Sequence, residues 1–256
     1  MPIDPIANLA IQSWCFRAYK DNAEVITNLK ATGVKHIEIC GVHVDPRGDK
    51  AQAVIDQYKA AGVGISAVGV EWFDADEARS RKLFDFAKRA GCTTISADLD
   101  PENDAAIRTT EKLSAEYGVT VGIHNHGRKH RLGPVWTLEK LFAKSKTIGL
   151  HLDTAWMLDA GEDPVAVAQK FRDRLYGLHI KDFTFNRDGS VNDVVAGTGV
   201  LKLEALAKLL IDTKFSGAVT IEYEGEESAP TPSLTQCVKN IRATFAKAGG
   251  AKAGAK

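Results

Sequence analysis

Four short stretches set ionisable side chains at alternate positions: "GIHNHG" (His124, His126), "LHLDTAW" (His151, Asp153), "LHIKDF" (His179, Lys181) and "AVTIEYEGE" (Glu222, Glu224). Side chains of an extended strand alternate between faces, so each pair shares one face. The intervening positions Leu150, Leu152, Leu178 and Ile180 are apolar and suit the opposite, helix-covered face. Asp, His and Glu from neighbouring strand ends make an oxygen and nitrogen donor set for one divalent metal ion, Mn²⁺, Mg²⁺, Co²⁺ or Zn²⁺. Such an ion polarises a carbonyl or hydroxyl oxygen and stabilises an enediolate. For any one of these groups the alternative is a hydrogen bond within a polar mouth, but recurrence on consecutive strands favours a site.

The rest of the chain explains how these ends come together. A glycine followed by a short apolar run recurs at Gly33, Gly62, Gly91, Gly118, Gly149, Gly177 and Gly217. Helical apolar spacing precedes most of them, as in Val25, Ile26, Leu29 or Leu206, Leu209, Leu210, and a helix end favours glycine. Each unit reads helix, glycine, strand, loop. With "LAIQSWCF" as a first strand, the count is eight strands and eight helices, the last helix running over 234–246. Strict alternation predicts a parallel sheet with right-handed crossovers, and eight repeats predict closure. The expected fold is α/β, a single (β/α)8 barrel; an open doubly wound sheet would show a GxGxxG turn after its first strand. The barrel is expected over 1–247, with the small, charged 248–256 a disordered tail. Active sites of such barrels lie at the C-terminal strand ends, where the four stretches fall.

Composition narrows the partners. Lys plus Arg and Asp plus Glu are both 33, so no overall field recruits nucleic acid or an anionic membrane. The stretch "MPIDPIANLA" has neither a basic start nor a long apolar run, and no segment approaches the ~20 apolar residues of a membrane helix. A soluble, cytoplasmic protein is expected. Cys15, Cys40, Cys92 and Cys237 form no CxxC pair, which argues against a zinc knuckle or disulfide framework.

At "GIHNHG", "LDTAW", "HIKD" and "IEYE" the chain resembles the xylose isomerase-like TIM barrels, the broad sugar phosphate isomerase and epimerase family that includes ketose 3-epimerases and inosose dehydratases. The resemblance extends from "GVKHIEI" to "GTGVLKLEALAKLL". It implies one divalent ion held by a Glu on strand 5, an Asp on strand 6, a His on strand 7 and a Glu on strand 8. Carried over by motif, the last three are Asp153, His179 and Glu222. It further implies that Lys181 approaches substrate oxygens and that Glu38, in "IEI", is an acidic group at the barrel mouth.

Two positions depart from the family pattern. Many relatives read "ENH" where this chain reads "HNH", so His124 stands in place of the first carboxylate and a two-glutamate epimerisation loses half of its machinery. A histidine there can still ligate metal or act as acid/base. Relatives with "DTxH" carry a substrate-binding histidine where this chain has Trp156, whose indole can stack on a sugar. His126 is a further candidate for substrate contact, Trp14 and Trp72 for lining a sugar pocket, and the basic "GRKHRLG" for a phosphate or carboxylate. His151 reads as a hydrogen-bonded core residue, Glu224 as solvated, and Asp182 as a support for its neighbours.

The expectation is a divalent-metal-dependent sugar isomerase or epimerase that abstracts a proton next to a carbonyl of a sugar or polyol. Glu222, His124 and Lys181 are its catalytic candidates and His126, Trp156, Glu38 and Trp14 its substrate-binding ones. The alternatives are a dehydratase or lyase of a keto sugar or inosose, and a non-catalytic sugar-binding barrel. Homo-oligomerisation stays open. Three-metal nuclease chemistry is disfavoured by neutral charge and by the scarcity of histidine at strand ends 2 to 4.

Overall fold

A computed structural model describes residues 4–250. In chain order the strands are β1 (Ala10–Gln12), β2 (His36–Ile39), β3 (Gly64–Phe73), β4 (Thr94–Leu99), β5 (Thr120–His124), β6 (Gly149–Asp153), β7 (Leu175–Ile180), β8 (Asp182–Phe185), β9 (Val191–Val194) and β10 (Ala218–Ile221). Eight of them close into a parallel barrel in the order β1-β10-β7-β6-β5-β4-β3-β2, while β8 and β9 form a separate antiparallel hairpin. The fold is therefore the single (β/α)8 barrel that the alternating pattern predicts.

The helices are α1 (Asn22–Ala31), α2 (Ala51–Ala60), α3 (Glu77–Ala90), α4 (Asp104–Tyr117), α5 (Val135–Lys144), α6 (Thr154–Asp159), α7 (Pro164–Lys170), α8 (Leu203–Asp212) and α9 (Thr231–Gly250). They cover the outward strand residues: Leu150, Leu152, Leu178 and Ile180 are fully excluded from solvent in one continuous core. The four cysteines are free and buried. Helix α9 carries on through Gly250, beyond the expected end at 246, and the rest of the expected tail, 251–256, lies outside the described residues. No helix among the described residues is long and apolar enough to cross a membrane.

The recurring glycines do two different jobs. Gly91 and Gly118 cap α3 and α4 in the left-handed conformation, as a helix end requires. Gly149 and Gly177 lie inside β6 and β7. Gly177 pairs with His151, and a Cβ there would run into the His151 imidazole, so glycine makes room for a ring inside the barrel. The long interval before Gly217 is the β8–β9 hairpin, whose "RDGS" tip carries the Asp-Gly pair that favours such turns.

Candidate metal centre

The C-terminal ends of β5, β6, β7 and β10 bring together His124, Asp153, His179 and Glu222, whose donor atoms all lie within 4.8 Å of one another. His124 Nε2 is 3.0 Å from His179 Nδ1, 3.6 Å from Asp153 Oδ2 and 3.9 Å from Glu222 Oε2. His179 Nδ1 is 3.2 Å from the same Glu222 oxygen. Metal bonds of about 2.0–2.2 Å put neighbouring ligand atoms roughly 3–4 Å apart, so these separations suit one ion. Asp153 Oδ2 is buried and has no hydrogen-bond partner, a costly state for a carboxylate oxygen unless a cation meets it. The residues therefore fit the group that the sequence pattern implies.

Local structure aims each donor. Asp153 ends β6 and caps α6, its Oδ1 accepting from the Trp156 amide at 2.8 Å, which leaves Oδ2 directed at the cluster. The Asn125 side chain clamps the same residue, donating to the Asp153 carbonyl and accepting from the Asp153 amide. Thr154 Oγ1 donates to the Lys181 carbonyl at 2.6 Å and accepts from its amide, joining the ends of β6 and β7. Asn125 and Thr154 sit inside the motifs, between or beside the donors, but spacing alone does not mark either as a support.

Glu38 does not reach the mouth. It is fully buried below the cluster, where Oε2 meets His179 Nε2 at 2.9 Å and accepts from Thr220 Oγ1, while Oε1 accepts from Ser96 Oγ at 2.6 Å. The carboxylate thus fixes the imidazole so that Nδ1 faces the donors, the arrangement that orients metal-bound histidines. The Glu38, His151, His179 triplet is the underside of this centre. Replacing Glu38 by glutamine should weaken divalent-ion affinity by about 10–100-fold with the barrel still folded, as read by calorimetric titration beside circular dichroism. His151 is fully buried, yet neither ring nitrogen finds a hydrogen bond, so the hydrogen-bonded core role expected of it is not realised.

Lys181 also lies deeper than expected. It is 1% exposed and its ammonium is taken up by Glu224, by Asp193 at 3.2 Å and by Glu222 at 3.7 Å. It holds carboxylates in place instead of presenting a free charge to substrate. Asp193 comes from β9, in the hairpin that apolar periodicity did not reveal. Glu224, expected to be solvated, bridges Lys181 and Trp14 Nε1, the latter at 2.8 Å. Asp182 behaves as a support, accepting from the Gly197, Gly199 and Leu201 amides.

Above the donors opens a cavity of about 440 Å³ whose walls include Trp14, His124, His126, Trp156, Glu222 and Glu224. Strand β5 stops at His124, but the His126 ring still stands 4.8 Å from the His124 ring. Trp72 is not on this wall; it lies under Arg131, 4.9 Å from its ring. A second triplet, Asp98, His126 and His130, is already engaged: Arg131 pairs with Asp98 at 2.6 Å and His130 Nδ1 accepts the Leu132 amide.

Charge follows burial and neighbours. Burial, then the neighbouring His179, takes the His124 imidazole down to about 3, so it is neutral, as a ligand must be. His126 is likewise held down at about 3 by burial and by His124. Burial pushes the Asp153 carboxyl up to about 7 against the pull of Lys181. Burial opposes the Lys181 charge, but Glu222 and Asp153 outweigh it and keep the ammonium protonated. A cation among the four donors relieves the crowding of Asp153 against Glu222.

A family model described as xylose isomerase-like TIM barrel matches residues 26–244. Inosose dehydratase from Clostridium beijerinckii is 22% identical over 139 residues, 47% of this chain and 46% of that protein, so the match spans about half of the relative's length. A xylose isomerase domain protein from Alicyclobacillus acidocaldarius superposes with a TM-score of 0.76 at 16% identity, covering 94% of this chain and 99% of the other. The 3-keto-D-glucoside 4-epimerase from E. coli gives 0.72 at 15% identity, with 92% and 99% covered. At these identities the two structural likenesses are likenesses of fold.

Proposed function

This chain belongs to the xylose isomerase-like TIM barrel family, and from that premise we propose that it is a divalent-metal-dependent isomerase or epimerase that removes a proton next to the carbonyl of a sugar or polyol derivative. The observation that carries the reading is the convergence of His124, Asp153, His179 and Glu222 on one point at the floor of a cavity. These four residues would hold the ion. Two nitrogen donors in the set favour Mn²⁺, Co²⁺ or Zn²⁺ over Mg²⁺. When bound, the ion supplies Lewis acidity that polarises the substrate carbonyl.

The chain's own groups do the rest. Glu222, on the cavity wall, accepts the proton from the carbon beside the carbonyl. Burial opposes its ionisation, but Lys181 and His179 outweigh burial and hold the carboxylate well below its ordinary range. Lys181 acts through Glu222 and Glu224 as a positioning residue. His126, neutral and on the same wall, hydrogen-bonds a substrate oxygen while the Glu222 carboxyl returns the proton to carbon. Trp14 and Trp156 offer indole faces to the apolar face of a sugar ring.

One observation favours a second outcome of the same first step. An imidazole, His124, stands where a second carboxylate would complete a symmetric proton relay, so abstraction at Glu222 followed by transfer of that proton from the Glu222 carboxyl to a neighbouring hydroxyl, which leaves as water, makes the protein a dehydratase. Incubating Mn²⁺-loaded protein in D₂O with a panel of keto sugars and inososes separates the cases. Deuterium at the carbon next to the carbonyl is the shared expectation, and a product lighter by one water marks the dehydratase. Exchange at no position of any substrate would overturn the reading.

A further inference from the structure

A second cavity adjoins the first. It has a volume of about 640 Å³ and lies between the loop after β5 and the tip of the β8–β9 hairpin, with Lys129, His130, Asp159, Ser190 and Val191 on its walls. His126 and Trp156 line both cavities, so the two share a wall. We propose that this space is a second subsite that takes an uncharged second sugar ring, and hence that the substrate is a glycoside or disaccharide and not a free monosaccharide. The inference rests on the reading above for the position of the reacting ring.

The walls are built, not incidental. The Arg128 guanidinium grips Asp159 at 2.7 Å and the Gly189 carbonyl at 3.0 Å, while the Arg128 amide donates to the other Asp159 oxygen at 2.9 Å. These bonds tie the loop, α6 and the hairpin tip into one rim. A Cβ on Gly127 would lie 2.9 Å from Trp156 Cε3, so the loop backbone seats against the indole. Phe183 meets the same indole edge-on, 5.1 Å between ring centroids. Trp156 is thus fixed between the two cavities, where it can touch both rings of a two-ring ligand.

Charge selects the ligand class. The basic residues of this loop suit a phosphate or carboxylate, but Arg131 pairs with Asp98, Arg128 pairs with Asp159, and the lining that holds Arg128 and Lys129 also holds Asp159 and Asp188. Burial lowers the basicity of His130. With two acidic groups against two basic ones the lining has no net field for an anion, whereas an indole flanked by carboxylate, hydroxyl and guanidinium suits a polyhydroxylated ring.

The test compares D-glucose with cellobiose, maltose and trehalose by saturation-transfer NMR and calorimetry on the metal-loaded protein, in wild type, Val191→Trp and Ser190→Trp. At least one disaccharide should bind about tenfold more tightly than glucose, with saturation on both rings. Either tryptophan should remove that advantage and leave glucose binding within about twofold. Ser190 is exposed at the hairpin tip, so its variant serves if Val191→Trp does not fold. Equal affinities, or an advantage that survives both variants, would overturn the subsite while proton exchange on a free keto sugar would leave the proposed chemistry standing. Tighter disaccharide binding with no exchange on any keto sugar, inosose or keto glycoside would uphold the subsite and sink the chemistry.

Discussion

Glu222→Gln should reduce proton exchange by roughly 10²–10⁴-fold, the range lost with a general base, while the barrel stays folded. The amide keeps the shape of the side chain and removes its basicity. The fold should tolerate the change because Lys181 retains Glu224 and Asp193 as counter-charges, and His179 retains Glu38. Metal affinity should fall as well, since one charged donor becomes neutral, so exchange is to be measured at saturating metal. Unchanged exchange in the saturated variant would remove Glu222 from the chemistry. Loss restored by more metal would make it a ligand alone.

Asp153→Ala should weaken divalent-ion binding by more than about 100-fold, beyond the effect of losing an outer-shell partner. It removes a donor whose buried, cluster-facing oxygen makes no hydrogen bond. The same substitution strips the cap from α6, at a cost of about 0.5–2 kcal/mol. Asp153→Asn separates the two effects, because the amide oxygen can still accept from the Trp156 amide. Both variants should lose the ion in calorimetric titration, and only the alanine should melt appreciably lower. Metal binding retained in both would place the ion elsewhere.

Much of this arrangement was legible in the sequence. Alternation of His, Asp and Glu with leucine and isoleucine identified the inward faces of β5, β6, β7 and β10, because period two is a property of the strand itself. The glycine punctuation counted the repeats even though Gly149 and Gly177 serve packing inside strands and not helix ends. What pattern could not supply was depth. Glu38 and Lys181 lie in motifs beside the mouth, yet the register of the closed barrel puts one beneath His179 and the other under a cover of three carboxylates. Asp193 was hidden for a related reason: the hairpin interrupts the repeat and its strands are half exposed, so no apolar periodicity marked them. Asn125 and Thr154 stand at the right places in the motifs, but their bonds run to backbone across neighbouring strands, which spacing within one strand cannot reveal.

On the proposed reading four side chains, two of them histidines, hold a single ion at the barrel mouth. Pulsed electron paramagnetic resonance of Mn²⁺-loaded protein tests it most directly, read beside His124→Gln. One Mn²⁺ per chain is expected, with nitrogen couplings from two imidazoles, falling to one in the variant. No bound Mn²⁺, or a spectrum with no histidine nitrogen that His124→Gln leaves unchanged, would contradict it.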